Sequence, residues 1–244
     1  FYLLRMGKSW GDRLRRRRAR GKRFLFVGGG AGGMSAATRM RRLEEDATII
    51  IFERGPHVSF ANCGLPYYLG GEITERGKLL VQTPARLKEV FNLDVRVRNE
   101  VLAIDRQKKE VEVRDLSTNK VYRESYDALI LATGAAPLVP PIPGIQRPGH
   151  FTLRNLEDTD AIHAWASRKD VRRAVVVGAG AIGLEMAEQL VHRGLEVTVV
   201  ELLPQVLALL DPEMVAPIHE ELRKHGIALY LGDKVEQFLD PLNQ

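Results

Sequence analysis

The feature that most constrains this chain is a glycine turn written twice. Phe24-Leu25-Phe26-Val27 runs into Gly28-Gly29-Gly30-Ala31-Gly32-Gly33, and Ala174 to Val177 runs into Gly178-Ala179-Gly180-Ala181-Ile182-Gly183. A helical apolar pattern follows each turn, through Met34, Ala36, Ala37, Met40 and Leu43 in the first copy and Leu184 to His192 in the second. Each helix gives way to another apolar strand: Thr48 to Phe52 closed by Glu53, and Val197 to Val200 closed by Glu201. Strand, tight turn, helix and strand in this order make a parallel crossover unit. The copies lie 150 residues apart, too far for a solenoid repeat. They predict an α/β chain with two tandem Rossmann-like dinucleotide-binding domains.

Each glycine has a distinct task. In Gly28-x-Gly30-x-x-Gly33 the first permits the tight turn, the second lets backbone approach a pyrophosphate, and the third lets helix and strand pack closely. The helix beginning near Ala31 then offers unpaired N–H groups to the anion. Glu53 stands 20 residues beyond the last glycine, where a carboxylate accepts hydrogen bonds from a ribose diol. Gly178, Gly180, Gly183 and Glu201 repeat the arrangement with a spacing of 18, with Ile182 inside the turn and Glu185 on the helix behind it. A carboxylate at Glu201 repels a 2′-phosphate, and Leu202-Leu203 supplies no arginine to compensate, so the second turn is expected to favour NADH over NADPH.

Between the two units, Val101–Asp105, Val111–Arg114 and Val121–Tyr126 read as short strands of an inserted β-meander. Ala128 to Leu131 is a further strand, running into Ala132-Thr133-Gly134-Ala135-Ala136-Pro137, and the proline-rich stretch 137–148 reads as a linker. Asp211-Pro212-Glu213 opens another helix, Gly226 ends it, and Ile227 to Leu231 is a last strand. The expected division is a basic tail over 1–22, a first nucleotide domain over 23–148, and a second over 149–244 that is incomplete at its C-terminal end.

The formal net charge of +5 would suggest a nucleic-acid binder until the charge is located. Phe1 to Arg23 holds ten of the 36 basic residues and one of the 31 acidic ones, leaving 26 against 30 in the rest. The body is thus mildly acidic, and the basicity belongs to a tail, solvated and disordered or artefactual. A grip on phosphate backbones is the less favoured alternative. The tail has no apolar core or cleavage site of a secretory signal. Nowhere does an apolar run approach the ~18 residues a membrane span needs.

Cys63 is the only cysteine, so neither an internal disulfide nor a paired-cysteine metal site is available, and no metal is expected. A reducing, cytoplasmic setting follows by default. The residue sits in Ser59-Phe60-Ala61-Asn62-Cys63-Gly64-Leu65-Pro66-Tyr67-Tyr68, just after the second strand of the first domain. Pro66 suits the first turn of a helix, which would set Cys63 at the positive end and favour its thiolate. A buried, inert cysteine is the competing reading. On the helix after the first turn, Ser35, Arg39 and Arg42 share one face. The two guanidinium groups either suit phosphates or are plain solvated charges.

Together, Gly28 to Gly33, Glu53, SFANCGLPYYLGG (59–71), ATGAAP (132–137) and GAGAIGLE (178–185) resemble the pyridine nucleotide–disulfide oxidoreductases. Alanine-asparagine before the cysteine and glycine-leucine-proline-tyrosine after it are more similar to the coenzyme A-disulfide reductase branch than to the NADH oxidase and peroxidase branches. The resemblance spans about Arg23 to Phe238. It implies FAD at the first turn, on Gly28, Gly30, Ala31, Gly33, Glu53, Arg54, the backbone near Val101, and Ala132-Thr133-Gly134. It implies NADH, with NADPH possible, on Gly178, Gly180, Ile182, Gly183, Glu185 and Glu201. Cys63 would be the redox-active nucleophile, and Ser35, Arg39, Arg42, Ser59 and Asn62 the positions that meet coenzyme A disulfide or a related persulfide. Competing expectations are an NADH oxidase or peroxidase cycling through a cysteine sulfenic acid, and a non-catalytic nucleotide-binding fragment.

The resemblance also implies a chain that continues beyond position 244. The continuation would finish the nicotinamide domain, return to the flavin domain, and add a C-terminal dimerisation domain that makes the full-length parent a homodimer. The 244-residue piece alone is expected to bind FAD weakly and to turn over little.

Overall fold

The computed structural model describes residues 21–239, so the expected basic tail lies outside the described residues apart from its last two positions. In chain order the elements are β1 (Arg23–Val27), α1 (Ala31–Leu43), β2 (Thr48–Glu53), a 3-10 turn (Asn62–Gly64), α2 (Leu65–Gly70), a second 3-10 turn (Arg76–Leu79), α3 (Pro84–Phe91) and β3 (Asp94–Val97). They continue with β4 (Asn99–Asp105), β5 (Glu110–Asp115), β6 (Val121–Ser125), β7 (Ala128–Leu131), α4 (Leu156–Ala166) and β8 (Arg173–Val177). The last are α5 (Ala181–His192), β9 (Glu196–Glu201), α6 (Pro212–Lys224) and β10 (Ala228–Leu231). The fold is mixed α/β and Rossmann-like, with parallel sheets. The described residues divide into two compact units, 21–60 with 80–135, and 61–79 with 136–239.

In the first unit a parallel sheet has the order β3-β2-β1-β7, with Phe24 beside Ile49 and Phe26 beside Ile51. Strand alternation splits its apolar runs between two cores. Phe24, Phe26, Ile49 and Ile51 pack with Met34 and Ala37 of α1 and Leu87 of α3. Leu25, Ile50 and Phe52 point the other way, onto Val111 and Val113 of β5. Both faces are therefore covered, which is why β1 and β2 read as unbroken apolar runs instead of alternating ones. The covering layer on the second face is an antiparallel sheet, β4-β5-β6, with an irregularity between Val101 and Ala103. Arg96 joins the two layers. Its guanidinium lies over the rings of Phe52 and Tyr122, at 5.6 and 5.7 Å, and donates to Asp94 and Glu124.

The second unit has a parallel sheet in the order β10-β9-β8, packed on α5 and α6 through Val197, Val199, Ala187, Leu190 and Val215. The segment 61–79 also groups with this unit. Leu69 of α2 joins this core, and Arg193 Nη1 donates to the Leu69 carbonyl at 2.8 Å. Gln189 Nε2 donates to Glu72 Oε1 at 2.9 Å, and Arg76 makes a forked pair with Asp160 at 2.6–2.9 Å. A Cβ at Gly70 would lie 1.7 Å from Gln189 Oε1, so a larger residue there would displace the Gln189 side chain. These partners are more than 80 positions away in sequence, out of reach of any local pattern.

Tyr68 of α2 also stacks on His163 of α4, with ring centroids 5.3 Å apart. Burial first, and Arg193 second, hold the His163 imidazole below its ordinary 6.5 against the opposing pull of Asp160. The folded state thus disfavours the charged ring, and stability present above 6.5 is lost as pH falls through the depressed value. On lowering the pH from about 7.5 to about 5.5, thermal unfolding midpoints should fall less for His163→Phe than for the parent.

Candidate functional site

The first glycine turn is built for close approach on one side and open space on the other. Gly28 has φ +108°, and a Cβ on it would lie 2.1 Å from the Ala132 carbonyl oxygen. A Cβ on Gly33 would lie 2.0 Å from the Gly28 carbonyl oxygen, so α1 can sit against β1 only with hydrogen there. At Gly30 an added Cβ would meet nothing within 4 Å. Gly30 is the N-cap of α1, no side chain caps the helix, and its first turn holds no acid. The uncapped N–H groups and the helix dipole there suit an anion.

Glu53 makes structural bonds of its own. Its Oε2 accepts from Gly29 N–H at 2.8 Å and its Oε1 from Gly55 N–H at 2.7 Å. The carboxylate thereby ties the glycine turn to the end of β2, and each oxygen keeps a lone pair for a hydroxyl. Ser59 braces the same turn. It holds φ +47°, its N–H donates to the Gly29 carbonyl at 2.9 Å, and its carbonyl accepts from Val81 and Gln82. A left-handed backbone at a non-glycine residue persists only where its surroundings fix it.

The second turn repeats this geometry. Gly180 is the N-cap of α5, again without a side-chain cap or a first-turn acid. A Cβ on Gly183 would lie 2.0 Å from the Gly178 carbonyl oxygen, while one on Gly180 would meet nothing within 4 Å. Glu201 Oε2 accepts from Ala179 N–H at 2.7 Å and Oε1 from Leu203 N–H at 2.9 Å. Ile182, Leu202 and Leu203 are exposed around it.

Cys63 is exposed. It lies in the 3-10 turn Asn62–Gly64, one residue before the N-cap of α2, and Pro66 occupies the first turn of that six-residue helix. Gly64 behind it is buried, and a Cβ there would press on Leu79 and Ile73 at 2.9 and 3.2 Å. Cys63 is thus not the buried residue of the competing reading. Four residues on, the Tyr67 phenol is pushed above its ordinary value, chiefly by the Glu185 carboxylate, then by desolvation, Glu188, Glu72 and Cys63. The structure therefore brings Glu185 of the second turn's helix within electrostatic reach of the cysteine segment. Both belong to the second unit.

The remaining expected positions fall as follows. Ser35, Arg39 and Arg42 are all exposed on α1. The arginine between them, Arg41, is spent on structure, donating to the carbonyls of Phe91, Glu45 and Asn92 at 2.9, 2.6 and 3.0 Å. Arg54 is exposed and faces Glu100 at 3.6 Å, and Asn62 is exposed beside Cys63. Val101 lies on β4 against the core that holds Leu25 and Phe52. Ala132 N–H donates to the Val27 carbonyl at 2.8 Å, with Thr133 and Gly134 exposed after it. Among the described residues no group of three or more His, Cys, Asp or Glu could hold a metal ion, and no helix is long and apolar enough to cross a membrane.

Comparison with known proteins gives a consistent set of likenesses. The family profile described as pyridine nucleotide-disulphide oxidoreductase matches residues 22–241. A coenzyme A disulfide reductase of Staphylococcus epidermidis is 39% identical over 217 residues, covering 87% of this chain and 48% of that protein. Among solved structures, reduced Bacillus anthracis CoADR-RHD is 50% identical with a TM-score of 0.87, covering 89% of this chain and 39% of that one. A water-forming NADH oxidase from Lactobacillus brevis, bound to NADH, is 33% identical with a TM-score of 0.86, covering 91% and 49%. An NAD-dependent persulfide reductase from A. fulgidus is 37% identical with a TM-score of 0.86, covering 90% and 41%. The chain spans about half the length of the curated relatives it matches.

Proposed function

The chain belongs to the pyridine nucleotide-disulphide oxidoreductase family, and from that premise we propose that it serves an FAD-dependent reduction of coenzyme A disulfide, or a related persulfide, by NADH through the sulfur of Cys63. The observation that carries this reading is the combination of two glycine turns of matching geometry with one exposed cysteine. The residues present fit FAD at the first turn. Gly30 leaves open the side that a pyrophosphate would take, the end of α1 is uncapped, and Glu53 retains acceptor capacity for a ribose diol. When bound, FAD supplies two-electron chemistry that no side chain offers.

Cys63 performs the sulfur chemistry. Its thiolate attacks one sulfur of the substrate disulfide, the S–S bond breaks, and one coenzyme A leaves as a thiolate that takes a proton. The other half remains bound to Cys63 as a mixed disulfide. Two electrons originating in NADH cleave that bond, returning the Cys63 thiolate and releasing the second thiol. The balance is NADH, a proton and one disulfide in, NAD⁺ and two thiols out. Arg39 and Arg42, exposed and unpaired by any described residue, suit the substrate's phosphates, with Ser35, Ser59 and Asn62 as further contacts.

A second reading is favoured by the likeness to the water-forming NADH oxidase. There Cys63 would cycle through a sulfenic acid, with oxygen or peroxide as the oxidant. Thiol counting separates the two. Anaerobic turnover should release two thiols for each NADH consumed, whereas an oxidase releases none and stops without oxygen.

At the second turn the Glu201 charge disfavours a 2′-phosphate while its two backbone bonds support the turn itself. Glu201→Ala should therefore weaken NADH roughly tenfold without a matching gain in NADPH, because the turn loses its tie. Combining it with Leu202→Arg should bring NADPH binding up. Titration of both nucleotides against both variants checks this, and a large NADPH gain from Glu201→Ala alone would show that charge is its whole role.

A further inference from the structure

His219 lies on α6, outside both glycine turns and outside every motif of the chain, yet its ring holds the backbone that follows Glu201. The Val206 N–H donates to His219 Nε2 at 3.1 Å, and Val206 is fully buried. A ring nitrogen that accepts carries no proton, so this geometry assigns the proton of the neutral imidazole to Nδ1. One residue on, Leu207 holds φ +46°, an unfavourable conformation for a leucine, and its N–H donates to the Ala179 carbonyl at 2.9 Å. The Ala179 N–H in turn donates to Glu201, whose other oxygen accepts from Leu203. Both polar groups of Ala179, the middle residue of Gly178-Ala179-Gly180, are thus fixed by the segment 201–207. That segment is fixed from behind by His219.

We propose that His219 is a positioning residue for dinucleotide binding at the second glycine turn. As a neutral acceptor it holds the strained 201–207 segment in place, so that the cradle stands formed before NADH arrives. The inference rests on the reading of that turn as an NADH site. Preorganisation of this kind raises affinity by removing the ordering that binding would otherwise require. An apolar ring in place of His219 would leave the Val206 N–H buried without a partner, and the segment would give way to water.

The test titrates NADH against the full 244-residue chain carrying His219→Phe or His219→Gln, and follows amide hydrogen exchange over 201–210. Phenylalanine keeps the ring volume and removes the acceptor. Glutamine offers a carbonyl oxygen at nearly the reach of Nε2. The phenylalanine variant should bind NADH roughly tenfold more weakly and exchange faster at 203–207, with β8 and β9 protected as before. The glutamine variant should restore both properties to within about threefold of the parent. Unchanged NADH binding in His219→Phe, no recovery in His219→Gln, or loss of protection throughout β8, β9 and β10 together would each overturn the proposal. A parent chain that fails to bind NADH would overturn the reading of the turn itself, and the role of His219 with it.

Discussion

Cys63→Ser is expected to lower NADH-driven disulfide reduction by at least about 10³-fold, while nucleotide binding stays as it was. A serine hydroxyl cannot form a mixed disulfide, so the substrate S–S bond has no nucleophile and the electrons of NADH have no sulfur to cleave. No other cysteine exists in the chain to take over. The substitution itself is gentle, because Cys63 is exposed and the contacts that shape its turn belong to neighbours. Gly64 packs on Leu79, Ala61 N–H donates to the Leu79 carbonyl, α2 is held by Arg193, and Glu72 just after it by Gln189. Thermal unfolding and NADH titration should therefore overlay on the parent, separating a chemical loss from a folding one. The cleanest readout is anaerobic thiol release from coenzyme A disulfide in a form of the protein that turns over. Undiminished release by Cys63→Ser would end the single-sulfur mechanism. Loss of oxygen consumption instead, in a parent that releases no thiol, would favour the oxidase reading.

What the sequence made legible follows the range of the forces involved. Glycine spacing, apolar strand runs and the acids Glu53 and Glu201 are local, and the structure has strand, turn, helix and strand at both copies. The helix α4 also had a local signal, the Asn155–Asp158 capping box, in which Asp158 N–H donates to Asn155 Oδ1 at 2.8 Å. The helix α3 had another in Thr83-Pro84. Neither is among the expected elements. Those signals are short, and α4 lies just beyond a proline-rich stretch that draws the eye to a linker. Less legible in principle was the membership of 61–79. Its ties to Gln189, Arg193 and Asp160 are pairings between distant positions that no periodicity encodes. The same holds for the backbone ties of Glu53 and Glu201. A ribose-binding acid and a carboxylate that staples a glycine turn leave identical traces in sequence, and only the N–H positions distinguish them. Arg41 teaches the converse lesson: spacing sets it off the face that Arg39 and Arg42 share, but only the carbonyls of Phe91, Glu45 and Asn92 reveal its structural duty.

The paired glycines allow fold and ligand to be separated with two substitutions in one turn. Gly183→Val should destabilise the chain by about 3 kcal/mol or more, because the new Cβ would stand 2.0 Å from the Gly178 carbonyl oxygen, a backbone atom that cannot step aside. For a domain of this size that corresponds to a fall of roughly 6–12 °C in Tm. Gly180→Val meets none of this. The backbone there has φ −74°, which any residue adopts, and nothing lies within 4 Å of the added Cβ. Its Tm should stay within about 2 °C of the parent, the ordinary range for a surface change without new strain. Yet the valine would fill the side of the turn left open for a pyrophosphate, so NADH affinity should fall about 100-fold or more. The first turn has the same contrast between Gly33 and Gly30, read there through FAD content. Differential scanning calorimetry and nucleotide titration on the four variants decide the matter. If Gly180→Val and Gly30→Val bind as the parent does, the open sides of these turns are not nucleotide cradles. The matching glycines would then be a packing device that serves α1 and α5 alone.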